Sequence, residues 1–446
     1  MAQLVLFLLA FLGVFLFLYR KYVPFLLVST FIAFDGFGVI GDNLGRTGLD
    51  AFTFMSISIL AIQKYYLKAE ILNNGNNRIA RAIKWLLLYI LLRTIVSILL
   101  SEESFVYSFK VFRTELFILS YFVFIQIDNQ NFNNFFSNLL EIICVVGAIY
   151  LISFIMWMNS GLSSEMINHT AMLALSAPLL FYAIFDFQDE RFKLAYIIIY
   201  SIFLLSTFSR GVLLATGVAF GYYFYKIRNA KRVFLPMLLL LPLFYLLFSV
   251  VDKSKSENVS DLSTMEEISN ALTLDSYDEL EFGSFGLRFA MVWERIDYAI
   301  ENPEVILFGI GSVHEDSPNN KFDFIVGSHK MQDGERSVQM IDSNDVAFLS
   351  HWFRYGIIWL FLFVYYLKVS FSELNKRLEY PFVKTATLTL IVICVASFSN
   401  DFFSELSMIF VPLLLLSRVN QVSSEDEIPV IEIPEVDIPD VEIAED

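Results

Sequence analysis

Apolar runs of about 20 residues recur along the chain, each long enough for a helix to cross roughly 30 Å of hydrocarbon. About thirteen are predicted. In the first part they are Leu4–Tyr19, Tyr22–Gly41, Leu49–Leu67, Ile83–Leu100, Phe105–Ile127, Phe135–Met158 and Met166–Phe185. Leu194–Phe208, Gly211–Tyr225, Val233–Val251, Val346–Leu367, Val383–Phe398 and the short Leu406–Leu416 complete the set. One polar stretch of about ninety residues, Asp252 to Asp342, interrupts them. Inside it, Phe289, Val292, Ile296 and Ile300 recur at helical spacing, which predicts an amphipathic helix over Arg288–Glu301 with those four on its apolar face. Pro303 ends that helix, and Phe308-Gly309-Ile310-Gly311-Ser312 reads as a tight turn in which glycine permits positive φ.

Connections between runs alternate in charge. Arg20–Lys21, the segment 64–84, Arg191–Lys193, the segment 226–232, the segment 368–384 and Arg418 carry Lys and Arg, the mark of the cytoplasmic side. Those between them are poor in basic residues or acidic. The alternation puts the amino terminus and the large loop outside and the carboxyl terminus inside. The layout expected is therefore helices over 1–251, an extracytoplasmic loop over 252–345, helices over 346–418, and a cytoplasmic tail over 419–446.

Composition sharpens the class. Hydrophobic residues make up 56% of the chain, above the roughly 45–50% of a soluble domain, which fits an all-α polytopic membrane protein of about 12–13 transmembrane helices. The net charge of −16 is concentrated: the stretch from Asp252 to Asp342 holds 19 acidic and 7 basic residues, and the tail from Glu425 to Asp446 holds 10 acidic and none basic. Nucleic acid is thereby an unsuitable partner. The tail repeats Ile-Pro every five residues from Ile428, a pattern that forbids helix and favours an extended or disordered segment. Cys144 and Cys394 both lie in apolar runs, so neither a disulfide framework nor a thiolate metal site is expected.

Ionisable side chains inside apolar runs are costly and usually face a cavity or a partner. Lys110 and Arg113 lie one to two turns inside the outer end of their run and share a helix face at i, i+3, with Glu115 deeper. Arg93 is midway along another run, and Arg210 stands between two runs in Ser209-Arg210-Gly211. A mutually paired or snorkelling cluster is the alternative for Lys110, Arg113 and Glu115. His169 begins its run, placed to contact a sugar or to cap the helix. His351, in His351-Trp352-Phe353, reads as an interfacial packing residue. No metal site is expected, because His314 and His329 lack a second ligand at zinc spacing. Serine-hydrolase and zinc-protease motifs are absent as well.

Three matches together resemble the bacterial O-antigen ligase and Wzy-type polymerase superfamily. They are Ser209-Arg210-Gly211, then Arg288-x4-Trp293 leading through Asn302-Pro303 to Gly309-Ile310-Gly311, then Asp345-x10-Gly356-Ile357-Ile358. The resemblance implies a glycosyltransferase C-like fold in the bacterial cytoplasmic membrane. It also implies an undecaprenyl-diphosphate-linked oligosaccharide as substrate, no cofactor, and a chain-length regulator as a partner. Ligases of this family have a His-Asn pair where this chain has Asp345-Val346, or Ser343-Asn344 in a shifted register, and neither register supplies the histidine. That departure favours polymerisation over ligation to lipid A core or protein, with His314 and His329 as substitutes to be weighed. On this reading Arg210 leads the catalytic candidates, with Arg288 or Arg113 second and Asp345 or Asp342 as base. Substrate contacts would come from Arg113, Lys110, Trp293, His169 and His314. A lipid-linked glycan transporter is the competing class, but no inverted repeat is visible and a large loop has no transport role.

Overall fold

The structure, a computed structural model, describes residues 2–38, 45–66, 77–100, 103–160, 169–207, 209–226, 284–314, 347–398 and 405–419, together with 317, 322, 324, 328–330, 337–339 and 403. The expected run Val233–Val251, most of the acidic loop's first half, Asp342, Asp345 and the pentad tail lie outside the described residues.

Among the described residues, helices form where the apolar runs are. They are α1 (Ala2–Leu18), α2 (Tyr22–Ala33), α3 (Gly45–Tyr65), α4 (Arg78–Leu100), α5 (Phe105–Phe112), α6 (Ser120–Phe124), α7 (Asn129–Ser160), α8 (His169–Phe185), α9 (Glu190–Ser206) and α10 (Arg210–Lys226). The loop contributes α11 (Ser284–Glu301) and α12 (Pro303–Phe308), and the last three are α13 (Ala347–Asn375), α14 (Pro381–Ala396) and α15 (Leu406–Arg418). Three stretches are long and apolar enough to cross a membrane, Arg78–Leu99, Asn129–Ser153 and His351–Asn375, and five shorter apolar helices accompany them. The chain is a helical membrane protein.

Three expectations are corrected. The run Phe105–Ile127 is not one helix: α5 gives way to a 3-10 stretch, Arg113–Leu119, and then to α6. Lys110 and Arg113 therefore do not share a continuous α-helical face. The apolar face of α11 is rotated, because Met291, Arg295 and Ala299 are buried while Ile300 is exposed. Arg295 can replace an apolar residue there because Glu294 and the Met291 carbonyl take its guanidinium, which also stacks over Phe324. Finally, the loop is not purely helical, since Ser328–Lys330 (β1) pairs antiparallel with Ser337–Gln339 (β2), His329 opposite Val338.

Contacts sort the helix termini into two ends. At one, Arg418 closes α15 by donating to Asn129 and Asn133 at 2.8 and 2.9 Å and lies over the Phe382 ring. Thr385 donates to Asp186 where α14 begins and α8 stops. Arg78 and Lys376 meet Glu373, and Tyr222 donates to Asn375. Arg78, the connection holding Lys376 and Arg377, and Arg418 thus meet at one end, Arg377 donating to the Val419 carbonyl. Aromatic residues fill the middle, with Phe52, Phe124 and Phe34 all packed on Phe410. The opposite end holds the glycine turn of the loop.

Candidate functional site

A broken helix organises that end. Within α13, Gly356 adopts φ 74° and ψ −176°, so the helix stops and restarts. The carbonyls of Phe353, Arg354 and Tyr355 lose their partners one turn on, and buried carbonyls need replacements. Each finds one. Ile310 N–H donates to Phe353 O at 2.9 Å, Gly311 N–H to Arg354 O at 2.8 Å, and the Tyr89 hydroxyl to Tyr355 O at 2.6 Å. The loop turn Gly309–Ser312 is thereby wedged between α13 and α4.

Helix α4 supplies the other wall. Tyr89, Arg93, Thr94 and Ser97 follow one another over little more than two turns, and all four reach the clasp. Arg93 Nη2 donates to Gly309 O at 3.0 Å. Ser312 N–H donates to Ser97 Oγ at 2.9 Å, and the Thr94 and Ser312 hydroxyls are 2.9 Å apart. Arg354, itself buried, returns a bond to Val313 O at 2.7 Å. Both glycines are required sterically: a Cβ on Gly309 would stand 2.2 Å from Arg354 O, and one on Gly356 2.2 Å from Leu307 O. The turn expected at positive φ is present, at 71° for Gly309 and 84° for Gly311.

Polar groups continue beyond the clasp. Ser317 Oγ lies 2.8 Å from both carboxylate oxygens of buried Glu103. The Tyr107 ring sits 5.6 Å from that of His314, and Lys110 Nζ is 5.0 Å from the Tyr107 centroid. Two expected residues, Lys110 and His314, therefore meet on one ring. Arg113 pairs with Asp50 at 2.9 Å. Trp293 lies on the exposed side of α11, and Arg288 falls in the second turn of that helix.

At the α9–α10 junction, Ser209 caps α10, its hydroxyl accepting from Val212 N–H, and Arg210 is the first helical residue. His169 Nε2 stands 3.2 Å from Thr207 O, and Tyr150 donates to Ser206 O at 2.5 Å. His169 thus belongs to the Arg210 junction.

His351 is a correction. It is buried rather than interfacial, 3.3 Å from Glu115 and stacked on Trp359 with centroids 4.6 Å apart. The pair borders a cavity of about 30 Å³, lined also by Phe117, Tyr366 and Leu413. Glu115 pairs across to α13, not with Lys110 or Arg113.

Sequence reading passed over Arg354, Glu103 and Ser97 and gave Arg93 no role. An arginine inside an apolar run was a sufficient signal for Arg93 and Arg354. Ser97 and Glu103 carried none, because their partners lie more than two hundred residues away. Among the described residues, no three His, Cys, Asp or Glu side chains group closely enough to hold a metal ion.

A comparison with curated proteins finds no match. Residues 194–364, which hold Arg210, the α11–α12 hairpin, the Gly309–Ser312 turn and the break at Gly356, match the family model described as O-Antigen ligase. That match bears out, over this segment, the resemblance to the O-antigen ligase and Wzy-type polymerase superfamily.

Proposed function

We propose that the protein is a membrane glycosyltransferase that joins undecaprenyl-diphosphate-linked oligosaccharide repeats into a surface polysaccharide. The observation that carries the reading is the family match over the segment containing Arg210, Arg288 and the clasped glycine turn. On this account about 12–13 helices cross the bacterial cytoplasmic membrane in a glycosyltransferase C-like arrangement. The loop over 252–345 lies outside, between transmembrane parts 1–251 and 346–418, with the tail over 419–446 inside.

The reaction requires an acceptor hydroxyl to attack the anomeric carbon while the bond to the diphosphate oxygen breaks. Negative charge develops on the departing carrier diphosphate, and a guanidinium in a low-dielectric site stabilises it. Arg210 takes this role, and Arg288 follows it ahead of Arg113, whose charge is met by Asp50. The hydroxyl proton must pass to a base, for which Asp345 and Asp342 are the candidates. Lys110 and His314 on the Tyr107 ring, with Trp293 and His169, supply substrate contacts. The net charge of −12 over Asp252–Asp342 repels an anionic donor, so local arginines and Lys110 must do the holding. Ligation of the glycan to another acceptor is the second reading, favoured by the description of the matching family.

Arg210→Ala should abolish polysaccharide product while the protein still inserts and accumulates. Arg210→Lys should rescue poorly, since an ammonium lacks the bidentate fork for diphosphate oxygens. Unchanged polymer in the alanine variant would reduce Arg210 to a boundary anchor.

A further inference from the structure

The loop hairpin α11–α12 carries large apolar side chains that nothing in the described chain covers. Ile300 is 62% exposed, Leu307 50%, Phe308 46% and Trp293 40%. For a loop bathed in water this would be an unusual patch. Its depth is fixed by the clasp. Gly309, immediately after Phe308, accepts from Arg93, seven residues inside the end of α4 at Leu100, which is about 10 Å along the helix. On the other wall, Leu307 O touches Gly356, nine residues or about 13 Å from the start of α13.

Both helices are long and apolar enough to cross a membrane, and they expose apolar side chains on either side of this level. Helix α4 presents Leu92, Ile95 and Leu99, and α13 presents Phe361, Val364 and Tyr365 just past the break. The apolar run of α4 ends at Leu100 and is followed by Ser101-Glu102-Glu103, which marks the boundary. Along α12, polarity falls with depth: exposed Glu304 sits at its start, and exposed Leu307 and Phe308 at its clasped end. On α11, Trp293 and Ile300 share the exposed side with Asp297 and Glu301, the mixture typical of a helix lying at the headgroup level. The non-helical backbone at Gly309–Ser312 is tolerated at such depth because every carbonyl freed at Gly356 has a protein donor.

We infer that the α11–α12 hairpin is a re-entrant membrane element: α12 dips into the nearer leaflet, with Leu307 and Phe308 among acyl chains and Trp293 at the headgroups. The partner is the lipid bilayer itself. This rests on the clasp geometry and stands whichever glycan reaction the protein performs.

The test uses the full chain with Cys144 and Cys394 replaced by alanine, reconstituted in phosphatidylcholine vesicles. Single cysteines are introduced as Leu307→Cys, Phe308→Cys and, for comparison, Asp297→Cys. Labelling by a membrane-impermeant thiol reagent should be at least about tenfold slower at 307 and 308 than at 297, as for side chains held in hydrocarbon. A bimane attached at 307 or 308 before reconstitution should be quenched by phosphatidylcholine brominated on the acyl chain, and one at 297 should not. Equal labelling at all three positions would overturn the inference. So would protection without bromolipid quenching, which would assign the surface to a second copy of the chain or another protein.

Discussion

Gly309 and Gly356 are each held against the other segment's backbone, and the consequence is measurable. Gly356→Ala places a Cβ 2.2 Å from Leu307 O at φ 74°, so both strain and collision oppose it. A loss of at least about 1–3 kcal/mol is expected from the backbone conformation alone, read as a lowered unfolding midpoint in detergent. Gly217→Ala is the matched control, because its Cβ would meet nothing within 4 Å in α10, and helix propensity favours it by about 0.5–1 kcal/mol. A second residue-scale consequence concerns Asp186, just beyond α8. Burial pushes its carboxyl up to about 6 against the opposing pull of Arg418, Thr385 and Lys384. A carboxyl raised above its unfolded value favours the folded state most in acid. Stability should therefore fall as pH rises from about 4 to about 6 and then level off, by on the order of 3 kcal/mol from this group. Asp186→Asn should flatten that portion of the curve in thermal unfolding measured across pH. An unchanged curve would remove Asp186 from the account.

At the scale of elements, the clasp couples three pieces distant in sequence: α4, the turn after α12, and the broken α13. Arg93 is the side chain that ties the turn to α4, since it donates to Gly309 O from within an apolar helix. Arg93→Ala should leave the bundle inserted while loosening the loop. The expected readout is faster proteolytic cleavage between α12 and α13, with polysaccharide product reduced together with it. Cleavage at the wild-type rate would show that Ser97, Thr94 and the Phe353 and Arg354 carbonyls suffice without the arginine. Much of this scale was legible in the sequence. The helix ending before Pro303 and the positive-φ turn at Gly309–Gly311 followed from proline and glycine chemistry alone. The apolar face of α11 was misread because its periodicity was judged by hydrophobicity. Arg295, paired with Glu294 and stacked on Phe324, occupies the buried stripe instead. The run Phe105–Ile127 misled for a similar reason: composition admits a span, but the polar Arg113-Thr114-Glu115 is met by Asp50 and His351 in a 3-10 stretch.

Across the whole molecule, the two ends differ in chemistry. One gathers Arg78, Lys376, Arg418 and Arg377, which donates to the Val419 carbonyl, and the other gathers the glycine clasp, Glu103, Lys110 and His314. That Arg78, Lys376, Arg377 and Arg418 fall in connections between apolar runs was readable from sequence, because charge distribution is a property of composition along the chain. Which side chains meet was not readable, since Glu103 with Ser317 and Glu115 with His351 depend on packing between remote helices. The proposed polymerisation rests on the matched family segment, which holds Arg210 and Arg288, and on what the resemblance implies, a histidine in ligases where this chain has Asp345 or Ser343. The most direct measurement is the glycan on the lipid carrier and on the cell surface in a strain lacking this protein, against the same strain complemented. The account predicts single repeat units in the deletion and long chains on complementation. Long carrier-linked chains that accumulate in the deletion, with none on the final acceptor, would contradict it and identify a ligase.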